Sequence, residues 1–145
     1  MGLLDNYTGV GMSPRPKWQH QILEDSFILN AGPEIRRNGL LLLGEVTVTD
    51  DWNDLAPDLV IFDRHFEPLS IFEITTSKEC EAIIRKCHEL IQRFPDAEYF
   101  VYDYEEGTLY QYIAEENVWI TSDDEDISSL YLSRPLMDYL QDYYE

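Results

Sequence analysis

The stretch that most constrains this chain runs from Asp58 to Asp103. Asp58–Asp63 (DLVIFD) and Leu69–Thr75 (LSIFEIT) are short runs rich in β-branched and aromatic residues, and a short turn of charged residues and Pro68 separates them. That pattern predicts a β-hairpin. Ile83, Cys87, Leu90, Ile91 and Phe94 then recur at helical spacing, and Pro95 stops the run. Thr76 and Glu79 have the spacing of a capping box at its start. Glu98–Asp103 (EYFVYD) is again a strand. A strand joined to the next through a helix predicts a parallel pair with a crossover.

Around this centre the order is helix, three strands, helix, strand, then a β-rich extension. The class this predicts is mixed α/β, a sheet covered by helices. Pro14 and Pro16 open a first helix, expected over about Lys17–Asn30 and ending at Gly32-Pro33. Leu40–Thr49 reads as the first strand, Thr108–Ile113 and Val118–Thr121 as later ones, and Ile127–Leu132 as an edge strand. Pro135–Tyr144 reads as a closing helix. The expected organisation is one domain over 1–145: a loose lead-in at 1–13, a core at 14–103 and an acidic extension at 104–145.

A chain of 145 residues can bury roughly 68–70% of its unfolded surface, enough for a core without covalent staples. Cys80 and Cys87, seven apart on one helix, would lie roughly 10 Å from each other, too far for a disulfide. They read as two buried thiols of a reducing compartment. No signal segment or membrane-length apolar run is visible, so the expectation is a soluble, cytoplasmic protein. The 29 acidic residues against 10 basic ones give a formal charge of −19. Such a field repels nucleic acid, so any phosphate-binding reading must name a local basic patch.

Two acids stand where the strand pattern asks for apolar residues. Asp58 opens Leu59-Val60-Ile61-Phe62, and Glu73 interrupts Ile71-Phe72-Ile74. A carboxylate inside an apolar strand is costly unless paired, protonated or metal-bound. Two of them on neighbouring hairpin strands can share a hard cation such as Mg²⁺ or Mn²⁺, and metal-assisted phosphodiester hydrolysis also needs a cationic side chain nearby. The other reading puts Glu73 in solvent at a strand end and makes Asp58 a turn cap.

The residues also resemble a known family. Met12-Ser13-Pro14, His20, Ala56-Pro57-Asp58-Leu59-Val60, Phe72-Glu73-Ile74-Thr75-Thr76-Ser77, the helix from Lys86 to Phe94, and Ala97-Glu98-Tyr99-Phe100 leading to Asp103 occur in the order and spacing of the Uma-type restriction endonucleases. That bacterial group is part of the PD-(D/E)xK nuclease superfamily. The resemblance implies a restriction-endonuclease-like core, with Asp58 and Glu73 as metal ligands. The superfamily places a lysine two residues after the glutamate, where this chain has Thr75. The Uma-type pattern instead has a lysine in the following helix, matching Lys86, with Lys78 as the other candidate. His20 matches a histidine of the first helix, and Glu24 and Glu45 are possible further ligands.

Lys78, Arg85, Lys86 and Arg93 are four of the ten basic residues. At about 100° per residue they fall within one arc of the second helix, with Lys86 at the edge of the apolar stripe. His65 and His88 have no partner at metal-ligand spacing. The tyrosines gather from Tyr99 onward among acids, as packing and interface residues rather than a base-stacking platform. Residues 103–145 hold 12 acids against Arg134, a net −11, so the charge is densest away from the expected core.

The function expected is metal-dependent, nuclease-like phosphodiester hydrolysis, with Mg²⁺ (or Mn²⁺) on Asp58 and Glu73 and with Lys86 assisting. The alternative is a nuclease fold that no longer cuts and acts through protein partners. In that alternative the acidic, tyrosine-rich third would form a dimer interface or bind a basic protein, and a homodimer is the expected assembly. A less favoured reading is an acidic mimic of nucleic acid.

Overall fold

A computed structural model describes residues 14–45 and 56–140. Its elements are α1 (Pro14–Arg37), β1 (Leu41–Gly44), β2 (Leu59–Phe62), β3 (Pro68–Thr75), α2 (Cys80–Arg93), β4 (Glu98–Asp103), β5 (Thr108–Ile113), β6 (Val118–Thr121) and a short 3-10 helix, Leu136–Tyr139. The strands form one mixed sheet in sequential order β1-β2-β3-β4-β5-β6. Every neighbouring pair is antiparallel except β3 and β4, which run parallel from Ser70↔Glu98 to Thr75↔Asp103. A helix-linked pair has to be parallel if both strands are to start at the same end of the sheet. The expected crossover is therefore present.

The pleat divides the apolar residues between two faces. Leu59, Ile61, Phe72, Ile74 and Phe100 meet Phe27, Ala31 and Ile35 of α1, together with Ile127, Leu136 and Tyr139 from the carboxy-terminal segment. Val60, Phe62, Ile71, Tyr99 and Val101 meet Cys87 and Leu90 of α2. β2 is buried along its whole length and β3 from Ser70 onward, as expected of strands covered on both sides. The mixed α/β class expected from the sequence, a sheet covered by helices, is the class observed.

Several boundaries differ from expectation, each for a tertiary reason. α1 does not stop at Gly32-Pro33 but passes through Pro33 to Arg37. Ala31 and Ile35 are both fully buried against the sheet, so packing of the last turns outweighs the amide hydrogen bond that proline lacks. The helix ends instead at Gly39 (φ +79°), where Gly39 N–H donates to Arg36 O and Leu40 N–H to Ile35 O. Those two bonds are a Schellman motif, which needs a residue in the left-handed region.

The capping box at Thr76 and Glu79 does not form: α2 begins at Cys80, with Glu79 as N-cap and no side-chain cap bond. The chain entering α2 is held from outside the helix, by Ser77 Oγ donating to Asp103 Oδ2. Ile127–Leu132 is not a strand. It is pinned by the Glu98 carboxylate, which accepts from Ser70 Oγ, Ser129 Oγ and the Leu130 N–H. One buried-edge carboxylate thereby satisfies donors that a β-ladder would otherwise take up. Within the described part of the expected closing helix there is a 3-10 helix at Leu136–Tyr139, and Cys80 is only half-buried, unlike Cys87. The lead-in 1–13, the second half of the expected first strand (Val46–Thr49) and Gln141–Tyr144 lie outside the described residues. Among the described residues no helix is long and apolar enough to cross a membrane.

Candidate functional site

Asp58 lies one residue before β2, at the end of the strand that points toward α1 and beside the last residues of β3. Its carboxylate is anchored by the backbone: Ile74 N–H donates to Asp58 Oδ2 at 2.7 Å. The same oxygen stands 2.9 Å from His20 Nε2 on α1. One helical turn on from His20, Glu24 places Oε2 3.2 Å from His20 Nδ1. His20 thus sits between two carboxylates, one on its own helix and one on the sheet. The i, i+4 spacing on α1 puts His20 and Glu24 on one face, and burial of Phe27 and Ala31 turns that face inward.

Glu73 is 2% exposed, so the reading that left it in solvent at a strand end is excluded. Lys86 reaches down from α2 to place Nζ 2.9 Å from Glu73 Oε2, and it also donates to Ala56 O at 2.9 Å. The second contact fixes the ammonium over the turn that carries Asp58. Of the four basic residues of that segment, Lys86 is the one turned toward the sheet. Arg85 and Arg93 are exposed, Arg85 lying 3.9 Å from Glu81, and Lys78 is exposed in the turn before α2. Thr75, at the position where the superfamily motif places its lysine, is buried and its hydroxyl donates to Thr76 O.

The electrostatics are those of crowded, desolvated acids. Burial first, then the charge of Asp58, pushes the Glu73 carboxyl up to about 8, although Lys86 pulls the other way. Burial and the charges of Asp58 and Glu45 likewise raise Glu24 to about 8, against the pull of His20. For His20, burial lowers the pKa, but the hydrogen bond to Asp58 and the charges of Asp58, Glu24 and Glu45 outweigh it, so the net direction is upward. Glu45 is exposed just past β1, and its N–H bonds Asp58 O at 2.7 Å.

Two buried oxygens, Glu24 Oε2 and Glu73 Oε2, stand 3.2 Å from His20 Nδ1 and 2.9 Å from Lys86 Nζ. A carboxylate oxygen has two lone pairs, so one such neighbour leaves acceptor capacity that a cation could use. His20, Glu24 and Asp58 each offer a ligand atom within 4.8 Å of the others, a spacing that one cation can bridge. Glu73 is not in that trio. The sequence pair Asp58 and Glu73 is therefore brought together, but the tightest ligand set combines Asp58 with His20 and Glu24 of α1. The oxygen-rich, partly desolvated set fits a hard divalent ion with one nitrogen ligand. The sequence carried a signal for the α1 pair in its i, i+4 spacing. What the spacing lacked was the orientation of α1 over the hairpin.

No family model matches the chain, and no curated protein matches it. Among solved structures the chain is similar to one described as a putative nuclease belonging to DUF820 from Anabaena variabilis ATCC 29413. The TM-score is 0.56 at 12% identity, over 84% of this chain and 80% of the other. At that identity the likeness establishes a shared fold.

Proposed function

We propose that the cleft between α1, the start of β2 and the end of β3 binds a divalent cation, Mg²⁺ or Mn²⁺, and hydrolyses phosphodiester bonds. The observation that carries the reading is the convergence of Glu24, Asp58 and Glu73 with Lys86 in one partly buried site. Glu24 Oε2 and Glu73 Oε2 there are buried against His20 Nδ1 and Lys86 Nζ. Like charges this close are unfavourable unless something positive joins them. The fold shared with a chain described as a putative nuclease adds support.

In this reading Asp58, Glu24 and His20 hold the ion and Glu73 borders it. A bound cation supplies Lewis-acid polarisation of a phosphoryl oxygen and favours a nucleophilic water at neutral pH. Lys86, tied to Glu73 and Ala56 O, presents a fixed positive charge toward the scissile phosphate and stabilises the charge that develops on it. Ile74 N–H keeps Asp58 from turning away. The buried acids favour the ion over protons only when the cation replaces those protons, so binding releases protons near neutral pH.

Calorimetric titration of the wild-type chain with Mn²⁺ tests the site, alongside Asp58→Asn and Lys86→Met. The expected result is binding to wild type, a loss of more than about tenfold in affinity for Asp58→Asn, and retained binding by Lys86→Met. Labelled DNA and RNA incubated with Mn²⁺ should be cut by wild type and not by either variant. Absence of cation binding in wild type, or equal binding by Asp58→Asn, would overturn the site. Binding without cleavage would leave the alternative, a nuclease fold that acts through partners.

A further inference from the structure

The sheet ends at β6, and among the described residues no strand pairs with its outer side, although the turn after it already takes up the Thr121 carbonyl through the Asp124 and Glu125 N–H groups. Open strand edges are templates for another strand, and native proteins usually blunt them with lysine, proline, a bulge or a covering loop. β6 reads Val-Trp-Ile-Thr, has neither lysine nor proline, and its Val118 is exposed. Among the described residues, the carboxy-terminal segment that follows it packs under the α1 face, through Ile127, Leu132 and Leu136, and adds no strand to this edge.

Two features mark what this edge would accept. Exposed acids bracket the strand: Glu115 and Glu116 in the turn before it, and Asp123, Asp124, Glu125 and Asp126 in the segment after it. On the α2 side a rigid aromatic group stands next to the strand. Trp119 pairs in register with Tyr112, and His88 of α2 joins them, with ring centroids 5.4–5.8 Å apart. Trp119 Nε1–H donates to His88 Nε2 at 3.0 Å and Tyr112 Oη–H to Asn117 Oδ1 at 2.7 Å, so the rings are held with their polar atoms satisfied. Such a half-exposed surface offers apolar contact and ring faces that attract ammonium or guanidinium groups.

We propose that the free edge of β6 is a docking site for an extended, basic segment of another protein, which adds a strand to the sheet by β-augmentation. Main-chain hydrogen bonds along the edge supply affinity without regard to sequence, and alternate side chains meet the aromatic group and the acids. The charge argues for this occupant over others. A second copy pairing edge to edge would bring its own six acids against these, and juxtaposed like charges cost several kcal/mol. A nucleic-acid strand meets the same repulsion. A lysine- or arginine-rich strand meets attraction at both ends of β6. The site is far along the sheet from Asp58 and does not depend on the proposed chemistry there.

The test uses a fluorescein-labelled octapeptide of alternating Lys and Val, with anisotropy read against the full chain at physiological ionic strength. A control peptide of equal charge carries prolines at alternate positions and cannot form a ladder. The expected result is saturable binding of the first peptide, roughly tenfold or more weaker binding of the proline peptide, and a similar loss in the double variant Glu115→Lys/Glu116→Lys. Trp119→Ala should weaken the first peptide while leaving far-ultraviolet circular dichroism unchanged. Equal binding of both peptides would mean a field effect alone and would overturn the proposal. So would absence of binding, or a self-association of the chain that the double variant abolishes.

Discussion

At the scale of single residues, two carboxyl groups hold protons that ordinary carboxyl groups lose well below neutrality. Glu24 and Glu73 are both raised to about 8, chiefly by burial and secondly by the charge of Asp58. In the unfolded chain these groups titrate near 4.5, so between that value and about 8 the folded protein binds more protons. By linkage, stability then falls as pH rises through this window. His20 works in the same direction, because a raised histidine contributes stability that is lost as pH climbs past its folded value. The expected outcome in chelator-treated protein is a Tm lower at pH 8 than at pH 5.5 through these groups, measured by scanning calorimetry. Glu24→Gln should flatten that slope, and added Mn²⁺ should raise Tm more at pH 8, where it has fewer protons to displace. Asp58 and Glu73 were legible in the sequence because each broke an apolar strand. The pairing of His20 with Asp58 was not, since it joins residues 38 apart across two elements.

At the scale of elements, α1 carries a proline that its own sequence treats as a stop. Pro33 is exposed, and the helix continues past it because Ile35 is needed in the core. Pro33→Ala restores an N–H able to bond Leu29 O and removes the ring's clash with that carbonyl. It is expected to stabilise the chain by roughly 2 kcal/mol, less than the full helix-interior cost because proline also restricts the unfolded chain. Urea unfolding monitored by circular dichroism measures it, and an unchanged or lower midpoint would contradict this account of the helix. The strands from Glu98 to Thr121 were predicted with their observed bounds, because each is an apolar run closed by an acid-rich turn. Ile127–Leu132 misled for the opposite reason. Its apolar residues are spaced like those of a strand, yet its backbone is satisfied by Glu98, a partner set by tertiary structure.

At the scale of the whole molecule, the charge of −19 acts against compactness through self-repulsion. Raising NaCl from low to physiological ionic strength should therefore raise Tm, measured at fixed pH with chelator present. A fall in Tm would mean that local ion pairs, not net charge, dominate the electrostatics. The sequence by itself determined the hairpin, α2 and the strands from Glu98 to Thr121, the parallel crossover through α2, and the two acids out of place in apolar strands, because these follow from local periodicity and the cost of buried charge. Only the tertiary structure decided that α1 lies across the hairpin, so that His20 and Glu24 join Asp58, and that Lys86, not Lys78, stands beside Glu73. The reason is physical: periodicity fixes which face of an element is apolar, while packing against other elements fixes where along the sheet that face settles.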